Sequence, residues 1–185
     1  AWDDTQRKMK SILDHIGLSY KEVDGEAAFY GPKLDIQARN VHGKEDTIIT
    51  VQIDFSLPER FDMTFVDKDN EKKRPYVIHR TSIGCYERTL AMLIEKYAGA
   101  FPTWLAPVQV KVLPIIDKQI EYANNITEKL RKLGVRIEVD TRNEKIGYKI
   151  REAQLAKIPY MLVIGDKEME NNKVAVRSRK EGDLG

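Results

Sequence analysis

The sequence predicts an α/β chain in two parts. The first is an α+β half built on an antiparallel sheet, and the second is ordered β-α-β-α-β-β around a mixed, mostly parallel sheet. Three observations carry this expectation. Residues 34–39 and 47–54 alternate apolar and polar side chains on either side of a short polar turn, the pattern of an antiparallel hairpin. From Pro107 onward, apolar runs of strand length alternate with amphipathic runs of helix length, which implies parallel pairing through right-handed crossovers. Between these halves lies Phe-Pro-Thr-Trp-Leu-Ala-Pro, residues 101–107, which fits neither period. The expected domains are therefore residues 1–106 and 107–185.

Residues 3–16 read as a helix, with Met9, Ile12, Leu13 and Ile16 on one side and Gly17 ending it. In the first strand Leu34, Ile36 and Ala38 alternate with Asp35, Gln37 and Arg39. After a turn at His42 and Gly43, Ile49, Val51 and Ile53 face one way along the second strand. Ile48, Thr50, Gln52 and Asp54 face the other. Phe61, Met63 and Phe65 suggest a further strand or edge, and residues 67–73 a solvated turn. Residues 76–80 form a strand ending in His79 and Arg80, which turns at Gly84 into a helix carrying Arg88. Tyr86, Leu90, Leu93, Ile94 and Tyr97 fall at helical spacing there, which predicts a core face; Gly99 ends that helix. In the second half, strands are expected at 108–115, 135–140, 160–165 and 173–178, and helices at 118–132 and 146–157. The last two strands should form a hairpin across residues 166–172.

Composition narrows the function classes. The single cysteine, Cys85, excludes an internal disulfide framework and fits a reducing compartment. No apolar run approaches the ~20 residues of a membrane span. No signal peptide precedes Trp2, so a cytoplasmic protein without a membrane partner is expected. Residues 1–106 carry 15 positive and 17 negative side chains, whereas residues 107–185 carry 16 and 12. A basic second half is compatible with a nucleic-acid partner.

Several residues invite two readings. Lys33, in the tight Phe-Tyr-Gly-Pro-Lys turn with Tyr30, is an exposed turn lysine or a point charge for a phosphate. Gln52 lies on a polar strand face that is either solvated or the floor of a pocket. His79 is a structural strand-end histidine or a metal ligand. Arg88 is an exposed helix arginine or a guanidinium aimed into a pocket above a sheet. Arg142, Lys145 and Lys149, with Asn143 and Arg151 among them, make either a solvated charged face or a site beyond the carboxyl ends of strands.

The strand ending in His79-Arg80, the Gly-x-x-Glu-Arg turn at 84–88 and the Phe-Pro-Thr-Trp-Leu-Ala-Pro exit closely resemble motif 3 of the threonyl-tRNA synthetase family, class II aminoacyl-tRNA synthetases. The likeness extends to Phe-Tyr-Gly-Pro-Lys at 29–33, Val-Gln-Ile-Asp-Phe-Ser-Leu-Pro at 51–58 and Arg-Asn-Glu-Lys-Ile-Gly-Tyr-Lys-Ile-Arg-Glu at 142–152. It implies that residues 1–106 are the C-terminal part of the catalytic domain and 107–185 an anticodon-binding domain lacking its last helix. It further implies Arg88 and Lys33 in catalysis, Arg88 on the γ-phosphate of ATP. Tyr30, Gln52 and Cys85 would line the substrate pocket. Asn143, Arg151, Glu168 and Arg177 would meet the anticodon of threonine tRNA, and Lys157, replacing a family arginine, would keep a phosphate contact. Thr47 stands where many members place an ATP-contacting glutamine. His79 matches one of three protein ligands of the family's catalytic zinc, the other two lying upstream.

The resemblance thus implies a part of a homodimeric threonine-tRNA ligase that uses threonine, ATP with Mg²⁺ and tRNA. The other reading is a non-catalytic tRNA-binding module. Because motifs 1 and 2 and two zinc ligands have no counterpart here, the isolated chain is expected to be metal-free or weakly loaded and not to aminoacylate. Threonine-dependent ATP–pyrophosphate exchange above background would overturn that expectation.

Overall fold

Along the first half, the alternation of the sequence becomes a three-stranded antiparallel sheet. The computed structural model describes residues 2–185, which divide into two compact units, one ending at Met92 and one spanning Leu93–Gly185. The first opens with helix α1 (Trp2–His15), followed by strands β1 (Lys33–Arg39) and β2 (Glu45–Asp54). Asn40 closes the turn between the strands: its Oδ1 accepts the backbone N–H groups of His42 and Lys44, both at 3.0 Å. After a short helix α2 (Ser56–Arg60), the small hairpin β3 (Phe65–Val66) and β4 (Lys72–Lys73) leads to β5 (Val77–Arg80). The sheet order is β1-β2-β5, with β2 central and a register shift between Ile36 and Gln37. Alternation alone does not reveal that shift, nor the five residues of α2.

One expectation for this region fails. Helix α3 (Tyr86–Tyr97) forms with the anticipated amphipathic spacing, but it has no buried residue. Tyr86, Leu90 and Ile94 are exposed. Periodicity reports that a face is apolar, not that this chain supplies its cover. Ile36, Phe61, Tyr76 and Ile78 are likewise exposed.

The second unit is a five-stranded sheet in the order β10-β9-β8-β6-β7. Strands β6 (Val110–Pro114), β7 (Ile137–Val139) and β8 (Tyr160–Ile164) are parallel, linked by helices α4 (Ile120–Lys132) and α5 (Ile146–Leu155). Strand β9 (Ala175–Ser178) runs antiparallel to β8, so the sheet is mixed as expected. The core has two layers. Val112, Ile137, Leu162 and Ile164 pack with Ala123 of α4 on one face. Leu113 and Met161 pack with Ala153 of α5 and with Ile158 on the other. The 166–172 connection is not a plain loop: α6 (Asp166–Glu170) occupies it, its start tied down by Gln119 Nε2 donating to Asp166 Oδ1 at 2.9 Å. A two-residue strand β10 (Gly182–Asp183), too short to show a period, completes the sheet.

Residues 98–106, which belong to no strand or helix, are held by cations of the second unit. Arg179 donates to the carbonyls of Ala100 and Phe101 at 3.1 and 2.7 Å and also to that of Lys157. Arg136 donates to the carbonyls of Ala106 and Trp104 at 3.0 and 2.7 Å. Lys157 reaches the Ala98 carbonyl. Backbone acceptors without a ladder partner are thus satisfied by charged donors. Hydrogen bonds from charged donors contribute about 1.5–3 kcal/mol each. Arg179→Ala should therefore raise cleavage within residues 98–106 by about tenfold in limited proteolysis. The sheet strands should stay resistant.

Candidate functional site

In the first unit, one row of side chains crosses the sheet. The register pairs Lys33 with Gln52 on β1 and β2, and Gln52 with His79 on β2 and β5. Directly paired residues project from the same face, so three residues distant in sequence become neighbours. The next row pairs Asp35 with Thr50. Lys33 Nζ lies 2.7 Å from Asp35 Oδ2, and Thr50 Oγ1 donates to Asp35 Oδ1 at 2.7 Å. Tyr30, Lys33, Asp35, Thr47, Thr50 and Gln52 line an open cleft of about 410 Å³. For the Asp35 carboxyl, burial pushes upward, but Lys33 and Thr50 outweigh it and hold it below the ordinary range. Lys33 is therefore a paired cation at the cleft, restrained in direction.

His79 is braced from below. Asp54, 3 % exposed, accepts from the backbone N–H groups of Ser56 and Leu57 at 2.8 and 2.9 Å through Oδ1. Its Oδ2 lies 2.9 Å from His79 Nε2. Burial pushes the Asp54 carboxyl upward, but the His79 bond and the two amides leave it lowered. The Tyr30 ring meets the His79 ring edge-on, with centroids 6.4 Å apart. A carboxylate behind an imidazole is the arrangement that orients a ligand histidine. Zinc, however, takes three or four protein donors. Among the described residues no group of three His, Cys, Asp or Glu could hold a metal ion, so this chain by itself does not fit zinc. Asp54 does not stand out in the sequence, although its parity with Gln52 on β2 is the available signal.

Two glycines let the surrounding turns press against β2. A Cβ at Gly31 would stand 1.7 Å from the Ile53 carbonyl oxygen. At Gly84, where φ is +72°, it would stand 2.1 Å from that of Ile48. The second approach carries the start of α3 to the same strand, and Arg88 Nη1 donates to the Thr47 carbonyl at 2.8 Å. Arg88 thus reaches a residue of the cleft wall. Cys85 does not line the cleft; it is exposed, and its thiol donates to Glu87 Oε2 at 2.9 Å.

Of the four residues expected to meet the anticodon, Asn143 and Glu168 lie at the carboxyl ends of the parallel strands, whereas Arg177 lies opposite the amino end of β8 and Arg151 within α5. Asn143 is exposed in the loop after β7, and Glu168 follows β8 in α6. The Glu168 carboxylate accepts the Gly165 N–H at 2.9 Å. Arg151 is exposed on α5. Arg177 pairs in register with Met161, whose side chain packs on the α5 side, so it projects from that face. Its Nη1 donates to Asp183 Oδ2 at 3.2 Å, while its buried Nε has no partner. Beneath Asn143, Arg142 bridges the buried Asp140 and Glu152, with Nη2–O distances of 2.6 and 2.5 Å. Two expected surface cations behave otherwise. Lys149 is buried, since its place four residues before Ala153 puts it within the apolar stripe of α5. Lys157 is spent on the Ala98 carbonyl.

A family model described as the tRNA synthetase class II core domain (G, H, P, S and T) matches residues 2–97, more than half of the chain. The chain belongs to that class II synthetase family. A second model, described as an anticodon binding domain, matches residues 109–185. This class II chain is 70% identical over 185 residues to a threonine–tRNA ligase of Clostridium botulinum strain Eklund 17B and 68% identical to one of Clostridium perfringens strain SM101. All of the chain is covered in both comparisons, and it spans about 29% of the length of these curated relatives. Its fold matches a crystal structure titled as the RNA binding domain of threonyl-tRNA synthetase from Cryptosporidium parvum, with TM-score 0.89 and 38% identity. That match covers 96% of this chain and 45% of the other. No helix among the described residues is long and apolar enough to cross a membrane.

The Asp140 carboxyl is held below the ordinary carboxylate range by the Arg142 guanidinium, against burial. A carboxyl lowered in the folded state stabilises fully above its unfolded value, near 3.9, and loses that contribution as pH falls through the folded value. The stability gap between the native chain and Asp140→Asn, measured by urea unfolding, should therefore shrink as pH is lowered below about 4.

Proposed function

We propose that this chain is the part of a threonine–tRNA ligase that couples one wall of the threonine and ATP site to anticodon recognition. The observation that carries the first half of the reading is the row Lys33–Gln52–His79. Residues that the family resemblance assigns to one pocket come from three separate stretches and share one sheet face. In this reading Tyr30 and Gln52 line the threonine side, and Cys85, outside the cleft of this chain, is not assigned a substrate contact. Lys33 and Arg88 face the phosphates of ATP, bound with Mg²⁺. A fixed guanidinium there neutralises charge that develops as the threonine carboxylate attacks the α-phosphate and the bond to the departing pyrophosphate breaks, without reorganising at the moment of reaction. His79, oriented by Asp54, is the single zinc ligand that this chain contributes. Were zinc held there with donors from outside this chain, it would supply a Lewis acid beside His79.

In the second unit, Asn143, Arg151, Glu168 and Arg177 read anticodon bases of threonine tRNA. Amide, carboxylate and guanidinium groups recognise the exposed edges of unstacked bases, and the net positive charge of residues 107–185 favours the approach of RNA. We place the functional boundary between Ala106 and Pro107. The two family segments, 2–97 and 109–185, leave residues 98–108 between them, which supports a junction there. The division into compact units falls earlier, after Met92, because residues 98–106 are bound to side chains of the second unit. The whole ligase is read as a cytoplasmic homodimer.

The test is binding of threonine tRNA transcript, with its native anticodon and with a changed one, across a salt series. Each changed anticodon base should weaken binding by about 1–3 kcal/mol, and the preference for the native anticodon should persist at moderate salt. Binding that ignores the anticodon and vanishes with salt reports phosphate attraction alone and sinks the anticodon assignment.

A further inference from the structure

Lys149 is 3% exposed, and its ammonium donates to two backbone carbonyls, Pro114 at 3.0 Å and Asp140 at 3.1 Å. These acceptors mark a fork in the sheet. Strands β6 and β7 run side by side up to Val112 and Val139, and the Asp140 N–H makes the last rung with the Val112 carbonyl at 2.9 Å. Beyond it β6 continues along β8 as far as Pro114, while the chain after β7 turns away. A carbonyl at such a fork has no strand partner, and leaving it buried and unpaired is costly. An ammonium on a flexible stem supplies several donors at one point and can bridge both strand ends.

The same residue also holds the other end of the following loop. Its backbone N–H donates to the Lys145 carbonyl at 3.2 Å, closing the first turn of α5. Residues 141–144, with Asn143 among them, therefore leave one point fixed by the Lys149 side chain and return to one fixed by its backbone. Within the loop, Arg142 is locked to Asp140 and Glu152.

We propose that Lys149 is a positioning residue for anticodon reading: it clamps both ends of the loop that presents Asn143 and touches no RNA itself. This rests on the anticodon-binding reading of the second unit. The clamp explains why a cation occupies the apolar stripe of α5, where a solvated helix face has no use for it and an RNA phosphate cannot reach it.

The experiment uses the full 185-residue chain, unsubstituted and as Lys149→Met, Asn143→Ala and the double variant. Each is titrated with threonine tRNA transcripts bearing the native or a changed anticodon over a salt series. Lys149→Met should weaken native-anticodon binding by about tenfold, the scale of one oriented base contact, and leave the salt slope unchanged. In the double variant the two effects should not add, because Lys149 acts through Asn143. A salt slope reduced by about one would mean that Lys149 meets a phosphate and would overturn the proposal. Additive effects would overturn it as well. Amide hydrogen exchange on the RNA-free chain guards against a variant that merely unfolds. Protection should fall at residues 140–145 and persist in β8 and β9, for Lys149→Met and for the milder Lys149→Gln. Loss of protection throughout the sheet in both would make Lys149 a general support and sink the idea. If the unsubstituted chain itself ignores the anticodon, the functional reading fails; the exchange measurement still decides whether Lys149 sets the loop.

Discussion

Strand β6 is buried on both faces, and the second unit is arranged around that constraint. Val112 and Leu113, adjacent in sequence and both fully buried, point into different layers. A strand with two apolar faces must be covered twice, so the chain places α4 on one side and α5 on the other and flanks β6 with parallel neighbours. Burying a leucine-sized side chain contributes on the order of 1.5–3 kcal/mol, and the two layers share this strand. The functional geometry follows from the same arrangement. Parallel strands bring their carboxyl ends, and the loops that leave them, to one edge of the sheet. Asn143 and Glu168 therefore come from distant stretches yet leave the same end of the sheet.

The first unit is organised by pairing more than by burial. Its central strand β2 accepts β1 and β5 as antiparallel neighbours, and the register carries Lys33, Gln52 and His79 into line. Two turns approach β2 so closely that only glycine serves at Gly31 and Gly84. Few of its large apolar residues are buried, and α3 buries none. Precision here comes from the hydrogen-bond ladder and from charged braces such as Asp54 and Asp35, whereas the second unit adds a layered core.

Much of this is legible in the sequence, and the misses share a cause. Alternation locates β1, β2 and the two-layer second half because burial imposes a period on side chains. It misses the register shift after Ile36, the short helices α2 and α6 and the two-residue β10, since none is long enough to show a period. The apolar stripe of α3 is visible, but a stripe says nothing of what covers it. Among the candidate residues, identity marks Lys33, Gln52, His79 and Arg88, whereas Asp54 goes unmarked and Lys149 is marked only as part of a charged cluster, not as a support. Asp54 lies on the same strand face as Gln52, and Lys149 sits in the stripe formed by Ile146, Ile150 and Ala153. For Lys149 the informative signal is a charge at a position whose period calls for burial, and for Asp54 it is a carboxylate sharing the strand face of Gln52.

These signals point to a division of labour common to both units. The groups proposed to meet a ligand, His79 and Asn143, are exposed, and each stands beside or above a contact made by a buried charge. Asp54 fixes His79 through its second oxygen while the first is occupied by two backbone amides. Lys149 fixes the Asn143 loop through carbonyls of two strands. A buried charge is costly unless hydrogen bonds satisfy it, and here the backbone supplies most of them. Removing the charge would therefore release strand ends and turns as well as one side chain. An interaction made directly by an exposed residue lacks that leverage, because water replaces its partner. The buried member of each pair thus determines where the exposed member stands.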